Sequence, residues 1–353
     1  MKVMTFAKLA AGIAVAGLTL GLAAPASADP VPATDYRLLA GSGSDTTQDV
    51  SNGLAELIDG GDTLASWNAR DPQTQEVGGL ITTKNPATHP QCEDIVRPNG
   101  SSQGRDALIE SIDNDGVREG CFDFARSSSG ATFDPAGDLA YVPAAVDAVT
   151  FAVHEDSFLP RNLTETQLRG IYQCTITSIL GEPVTPVIPQ AGSGTRQFWL
   201  SRVGIAEGDL DLYPCIQDRG DQEHDGAALQ TTSDIVPFSI AQYIAQGNNL
   251  PGVPDRRGPA ELGSVGGQAP VVSGVLNENF PITRPVYYIV PSAAVDNPAD
   301  PDYQLINDVF VSNGDTAEIC APAAEAVVQQ YGFLVHDECG DAETYRAFPN
   351  VLP

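Results

Sequence analysis

The sequence predicts an α/β protein built from two domains. Segments of β-branched and aliphatic residues alternate along the chain with amphipathic, helix-like segments, which is the pattern of an α/β fold. The predicted mature chain of roughly 325 residues also exceeds what one hydrophobic core usually supports. Two domains are therefore expected.

The first half of the chain supplies short elements followed by one strongly apolar strand. Residues 36–40 predict a strand that ends in a Gly/Ser-rich turn, and residues 47–58 predict the helix that follows. A second helix is predicted over 106–112, after another Gly/Ser turn. The run 146–153 (VDAVTFAV) is almost continuously apolar, which predicts a strand buried on both faces.

The second half continues the alternation. Thr164 and Gln167 have the spacing of a capping box, which predicts that a helix begins there. The remaining predicted elements are a strand (184–188), a turn (190–195), a helix (196–203), a Gly/Pro-rich loop (248–274), a strand (286–290), a helix (321–330) and a strand (331–335).

The first 28 residues predict a secretory signal peptide. Lys2 and Lys8 give a positive start, an apolar run follows over 9–22, and residues 26–28 (ASA) form a cleavage site. The apolar run is shorter than the roughly 20 residues that span a bilayer, and no cysteine near the cleavage site could carry a lipid. We expect a secreted protein that begins at Asp29 and does not insert into a membrane.

Six cysteines remain after the leader, and an even number in an exported protein favours disulfides over a metal site. Sequence alone permits many connectivities, and no CxxC spacing is present. Because neighbouring cysteines fall into three separate regions, the predicted disulfides are Cys92–Cys121, Cys174–Cys215 and Cys320–Cys339.

The charge of the chain is strongly negative. It is −28 for the full sequence, and loss of Lys2 and Lys8 with the leader makes it −30. Nucleic acids and anionic membrane surfaces bind basic patches, so neither is expected as a partner.

Three turns place glycine and hydroxyl residues directly before a predicted helix: 41–46 (GSGSDT), 100–104 (GSSQG) and 192–195 (GSGT). The first N–H groups of a helix lack partners, the helix dipole is positive at that end, and Ser or Thr adds neutral donors. Taken alone, each turn is more typical of ordinary helix capping than of an anion site. The three together favour a site for a small oxyanion.

Four further motifs extend this pattern. Residues 191–198 (AGSGTRQF) have the form GSGT-xxF, residues 163–172 (LTETQLRGIY) follow the apolar strand, and 283–288 (TRPVYY) and 331–334 (YGFL) come later. In this order the motifs resemble the phosphate-type solute-binding proteins of ABC importers. That resemblance implies a type II periplasmic-binding-protein fold, in which two crossing strands join two lobes.

The resemblance also implies an organisation and a ligand. One lobe would comprise residues 36–146 and 287–353, and the other 147–286, with the anion held between them by a hinge motion. Phosphate is the leading candidate ligand, an ABC permease is the implied partner, and a monomer without cofactor, metal or catalytic activity is expected. The missing lipidation cysteine makes a freely secreted scavenger an alternative to uptake.

The family's ligand positions map onto the three turns and onto the segment 123–128. The predicted ligand-binding residues are Ser44, Asp45, Thr46, Ser101, Ser102, Arg126, Ser127, Ser128, Ser193, Gly194, Thr195 and Arg196.

The sequence departs from the family at three positions. Asp45 stands where a threonine is expected, Ser128 where a ligand aspartate is expected, and Pro189 where phosphate binders place an arginine. We hypothesise that Asp45 accepts the proton of a protonated oxyanion, or else only caps its helix. Either Arg126 or Arg196 would then supply the guanidinium, whose planar fork suits oxyanions.

Two other functions stay open from the sequence. A secreted hydrolase, a phosphatase or esterase, could use one of the GSG serines with a histidine, although the GxSxG spacing is missing and His224 is expected in a solvated loop. A wall-associated or adhesive protein could keep the binding fold without the ligand.

Overall fold

The structure is a computed structural model that describes residues 29–30, 33–113, 116–312 and 316–348. The predicted signal peptide, residues 1–28, lies outside the described residues. None of the helices within those ranges is both long enough and apolar enough to cross a membrane.

Helices pack on both sides of a large sheet. The described α-helices are α1 (Gln48–Leu57), α2 (Ser101–Ile112), α3 (Glu165–Tyr172), α4 (Gly194–Val203), α5 (Ile240–Gly247), α6 (Ser292–Asp296), α7 (Tyr303–Phe310) and α8 (Pro322–Gln330). The described strands are β1 (Leu39–Gly43), β2 (Leu64–Ser66), β3 (Leu80–Ile81), β4 (Ile95–Val96), β5 (Phe124–Ser127), β6 (Leu139–His154), β7 (Asn162–Leu163), β8 (Ser178–Ile179), β9 (Glu182–Pro183), β10 (Thr185–Ile188), β11 (Gln217–Asp218), β12 (Asp234–Ser239), β13 (Ala260–Leu262), β14 (Ser264–Val265), β15 (Val271–Val272), β16 (Val275–Leu276), β17 (Thr283–Pro291), β18 (Leu334–Val335) and β19 (Arg346–Ala347).

The central sheet has the order β11-β10-β12-β6-β17-β5-β1-β2, with β13, β18 and β19 also paired to β6. Strand β6 is 16 residues long and runs antiparallel to β17, from Thr283 opposite Ala148 to Pro291 opposite Leu139. Strands β1, β2 and β5 are parallel on one side, and β10, β11 and β12 are parallel on the other. The two central strands therefore serve both halves, which confirms the predicted two-lobed α/β fold with two crossing strands.

The buried hydrophobic residues form several clusters, and the two largest lie in the two halves of the molecule. One cluster includes Leu54, Phe124 and Phe310 and is covered by α1, α7 and α8. Another is centred on Trp199 of α4 and Tyr172 of α3. Helix α5 contributes to both clusters, so it ties the halves together. The lobe boundaries assigned from the sequence stay a prediction.

All three predicted disulfides are confirmed. Their Cα–Cα distances are 5.1 Å for Cys92–Cys121, 5.7 Å for Cys174–Cys215 and 5.8 Å for Cys320–Cys339. Each one closes a loop within its own region of the chain, as expected of an exported protein.

Local signals placed four of the five predicted helix starts to within two residues, whereas α5, α6 and α7 were not predicted. The capping box is present, because Thr164 Oγ1 accepts the Gln167 N–H at 3.2 Å and Gln167 Oε1 accepts the Thr164 N–H at 2.9 Å. Helix α2 is the exception, since it begins at Ser101 rather than at residue 106. Gly100 precedes it with a φ of +119°, a value that glycine tolerates without the steric cost of a Cβ. The Gly/Ser turn is therefore part of the helix start.

Candidate functional site

The three Gly/Ser turns converge on one place between the two halves of the molecule. Strands β1 and β5 are parallel neighbours, so the ends that carry Ser44 and Ser128 lie at the same edge of the sheet. Helix α4 comes from the other half and interlocks with this edge. A Cβ added to Gly194 would lie 2.3 Å from Ser101 Oγ and 2.4 Å from Ser128 Oγ. The turn needs glycine there because the two halves approach so closely.

Five side-chain hydroxyls meet at this point, and we refer to them as the hydroxyl cluster. Its members are Ser44, Thr46, Ser101, Ser128 and Thr195, and all are buried. Ser128 Oγ lies 3.0 Å from Ser44 Oγ, 3.1 Å from Thr46 Oγ1 and 3.5 Å from Ser101 Oγ. Thr46 Oγ1 lies 3.3 Å from Thr195 Oγ1, which links the two halves. The cluster is a set of neutral donors shielded from water.

One buried arginine reaches the hydroxyl cluster, and it comes from the crossing strand β17. Arg284 Nη2 donates to Thr195 Oγ1 at 2.8 Å, and its Nη1 donates to the Ser128 carbonyl at 2.9 Å. Its charge is balanced by Asp147 on β6, whose Oδ2 accepts from Nη2 at 2.8 Å. Because Asp147 neutralises it, Arg284 brings directional donors to the cluster with little net charge.

His224 supplies a further neutral donor. Its Nδ1 accepts the backbone N–H of Ser239 at 3.2 Å, so the ring proton of the neutral imidazole is on Nε2. Nε2 lies 2.9 Å from Thr46 Oγ1 and 3.4 Å from Thr195 Oγ1. Burial first, and then the positive charge of Arg284, hold the pKa of His224 well below its usual value. The ring is therefore uncharged and aimed at the hydroxyl cluster. The expectation of a solvated loop residue was wrong, since this side chain is fully buried.

A carboxylate occupies the start of helix α4. Glu223 Oε2 accepts the Ser193 hydroxyl at 2.6 Å and the Thr195 N–H at 3.3 Å. Burial raises the pKa of Glu223, and the neighbouring Asp45 carboxylate raises it further. The Glu223 carboxylate is thus an anion from the chain itself that occupies the start of this helix.

A second group of buried charges lies beside helix α1. Asp45 Oδ1 is 3.6 Å from Arg256 Nη2, and burial raises the pKa of Asp49 to about 6. Thr47, not Asp45, occupies the N-cap position of α1, so the capping alternative for Asp45 was wrong. In the described part of the chain, the Asp45 and Asp49 carboxylates and the Arg256 guanidinium make no hydrogen bonds.

Contacts between the two halves surround the cluster. Arg70 pairs with Asp225 at 2.9 Å, and Gln242 Nε2 donates to the Thr46 carbonyl at 2.8 Å. Gln197 Nε2 donates to Ser102 Oγ at 2.6 Å. These direct bonds hold the halves in a closed arrangement.

The comparisons with known proteins agree with this architecture. A family model described as the PBP superfamily domain matches residues 73–329, which is most of the chain. The chain belongs to this superfamily. No functionally curated protein matches it.

This PBP-superfamily chain is also similar to solved structures of other proteins. A putative phosphate ABC transporter substrate-binding protein with bound phosphate from Clostridium perfringens is 17% identical with a TM-score of 0.51, covering 85% of this chain and 100% of its own. An ABC-type phosphate transport receptor from Vibrio cholerae is 19% identical with a TM-score of 0.51, covering 84% of this chain and 100% of its own. At these identities the likeness shows the shared fold.

The PBP-superfamily structure brings together most of the residues singled out from the sequence. Ser44, Thr46, Ser101, Ser128 and Thr195 form the hydroxyl cluster, Ser193 binds Glu223, and Gly194 is the point of close approach. Ser102 instead bonds across the interface, and Ser127 Oγ donates to the Ser129 carbonyl in its own turn.

Two arginines, Arg126 and Arg196, were proposed from the sequence as anion ligands. Neither guanidinium bonds to a hydroxyl of the cluster. Arg196 pairs with Glu207 at 2.6 Å and with Asp218 at 2.8 Å. Arg126 donates to Ser66 Oγ at 2.6 Å and to the Ser44 carbonyl at 3.4 Å, which supports the first turn from within the lobe. The arginine that meets the hydroxyls is Arg284, which lies in the quoted TRPVYY motif but was not singled out there.

Proposed function

We propose that this protein is a solute-binding protein that holds a small oxyanion, with phosphate the leading candidate, between its two lobes. The observation that carries the proposal is the convergence of hydroxyls from both halves with the Nη2 of Arg284 and the Nε2–H of His224. Two structural neighbours are described as phosphate-transport proteins, one with bound phosphate. We extend that ligand class to this chain.

The donors of the cluster suit an anion despite the charge of the whole chain. Hydroxyls, a neutral imidazole and an ion-paired guanidinium solvate negative charge through oriented dipoles, and they act strongly where water is excluded. The carboxylates on the surface are screened within roughly 8–10 Å by salt. A formal charge of −28 is therefore compatible with anion binding.

The geometry of His224 favours binding over hydrolysis. A hydrolase would need its histidine to take a proton from a nucleophilic hydroxyl. His224 faces Thr46 with the nitrogen that already carries a proton, because Nδ1 accepts the backbone N–H of Ser239. We therefore propose a binding protein rather than an enzyme. With the predicted leader, it would be secreted and would act in scavenging or in uptake through an ABC permease.

An anion panel tests this function. The chain from Asp29 onward would be titrated with phosphate, arsenate, sulfate and molybdate while thermal unfolding is recorded. Ligand at 100 times its Kd should stabilise the fold by about 2.7 kcal/mol. No stabilisation by any of these anions would overturn the proposal and favour the adhesive alternative.

A matched pair of variants locates the site. Thr195→Val removes one hydroxyl of the cluster with little change in shape, and it should weaken phosphate binding by about tenfold or more. Thr177→Val makes the same change at an exposed position and should bind as the wild type does. Equal affinity of the two variants, measured by titration calorimetry, would place the ligand elsewhere.

A further inference from the structure

The carboxylate of Glu223 holds the two donors that an anion would use at the start of helix α4. Ser193 Oγ lies 2.6 Å from Glu223 Oε2, and Thr195 N lies 3.3 Å from the same oxygen. Both residues belong to the GSGT turn. An incoming anion and this carboxylate cannot accept the same two hydrogens at once.

The surroundings of Glu223 do not neutralise it. Asp45 brings a like charge, and the Arg284 guanidinium, which acts to lower the pKa of Glu223, is already paired with Asp147. The His224 ring, whose Nε2 lies 3.5 Å from Glu223 Oε2, is uncharged. Arg256 faces Asp45, with Nη2 3.6 Å from Oδ1. The second oxygen, Oε1, is buried and has no hydrogen-bond partner among the described residues. This oxygen is therefore available to take up a proton.

We propose that Glu223 is a built-in competitor for the oxyanion, which gains the start of helix α4 only when Glu223 is protonated or displaced. This inference rests on the proposed function and adds to it a link between anion affinity and pH. It makes Glu223 a residue that sets affinity from within the site, rather than a ligand of the anion.

The sign of the link follows from the charges. An anion next to a carboxylate disfavours the ionised form of that carboxylate, so binding raises the pKa of Glu223 and takes up a proton. Affinity is then highest below the pKa that Glu223 has in the free protein, which burial already raises. Above that pKa the affinity should fall by up to about tenfold per pH unit until the pKa of the bound state is reached.

The test compares the wild type with Glu223→Gln, using inorganic phosphate and titration calorimetry at pH 5 and pH 8. Phosphate itself titrates in this range, but the ratio of the two affinities at each pH cancels that effect. We expect Glu223→Gln to bind phosphate about tenfold or more tightly than the wild type at pH 8. The ratio should shrink toward 1 at pH 5. Glu207→Gln, which neutralises a half-exposed carboxylate paired with Arg196 outside the site, should behave as the wild type does.

Each outcome separates the competitor from the proposed function. If the wild type and Glu223→Gln bind phosphate equally at both pH values, the competitor role is refuted while anion binding stands. If neither binds phosphate, arsenate or sulfate, the proposed function itself fails. Weaker binding by Glu223→Gln would show that Glu223 supports the ligand and would also refute the competitor role.

A second variant, Glu223→Asp, keeps the proposal testable if Glu223→Gln does not fold. Glu223→Asp keeps the charge but withdraws the carboxylate by one methylene from Ser193 and Thr195. It should bind phosphate more tightly than the wild type at pH 8, because the donors are freed. Equal or weaker binding by a folded Glu223→Asp would count against competition for those donors.

Discussion

A single methyl group added at Gly194 should prevent the two halves from meeting. The added Cβ would lie 2.3 Å from Ser101 Oγ, 2.4 Å from Ser128 Oγ and 3.2 Å from Ser101 Cβ. Rotation of the two serine hydroxyls would break their hydrogen bonds in the cluster and would leave Ser101 Cβ at 3.2 Å, so the halves must separate or the backbone must shift. Such overpacking typically costs about 1–3 kcal/mol. Alanine is a better helix former than glycine by roughly 1 kcal/mol, which offsets part of that cost.

Two measurements on Gly194→Ala check this reasoning. Urea denaturation of the free protein should show a loss of up to about 2 kcal/mol in the free energy of unfolding. Phosphate titration should show an affinity that is about tenfold or more weaker, because donors from both halves no longer reach one anion. The control is Gly208→Ala, where an added Cβ meets nothing within 4 Å. Wild-type affinity and stability in Gly194→Ala would refute the interlocked arrangement.

Two further predictions concern buried charges. Arg284→Met leaves the Asp147 carboxylate buried without its cation and should lower the free energy of unfolding by about 3–5 kcal/mol in urea. Adding Asp147→Asn to that variant should recover part of the loss, and a loss below about 1 kcal/mol would show that Asp147 is not held as a buried charge. Because burial raises the pKa of Asp49 from 3.8 to about 6, the folded state prefers the protonated form. The contribution of Asp49 to the free energy of unfolding should therefore fall by about 3 kcal/mol as pH rises from about 4 through 6. Asp49→Asn should lack this component, and identical pH profiles from urea unfolding of the two proteins would contradict it.

The fold was predictable where a short stretch of sequence has a pattern that is typical of one secondary-structure element. The capping box at Thr164 predicted the start of α3, and the apolar run 146–153 predicted part of β6. That strand extends further toward its N-terminus, to Leu139, because pairing with β17 continues through Pro143, a residue that is disfavoured inside strands. The disulfides were predictable because each one joins two consecutive cysteines, with no other cysteine between them along the chain.

Only part of the candidate site was predictable, because only part of it lies in segments with a local sequence pattern. Hydroxyls in Gly/Ser turns before helices are a local signal, and four of the five members of the hydroxyl cluster lie in such turns. Arg284 and His224 carry no local signal, since a strand arginine and a loop histidine have many possible surroundings. Arg196 was one of the two arginines expected at the anion, but the half-exposed Glu207 and Asp218 bind its buried guanidinium instead.

By itself, the sequence determined the α/β class, the Gly/Ser turns that carry Ser101 and Ser193, and the cysteine pairs. These depend on hydrogen bonds and turns between residues that are close along the chain. Only the tertiary structure decided that Arg284 and His224 face Thr46, and that Glu223 lies on the GSGT turn. Those contacts join segments up to 238 residues apart, and the pairing of strands, not any local pattern, sets which side chains meet.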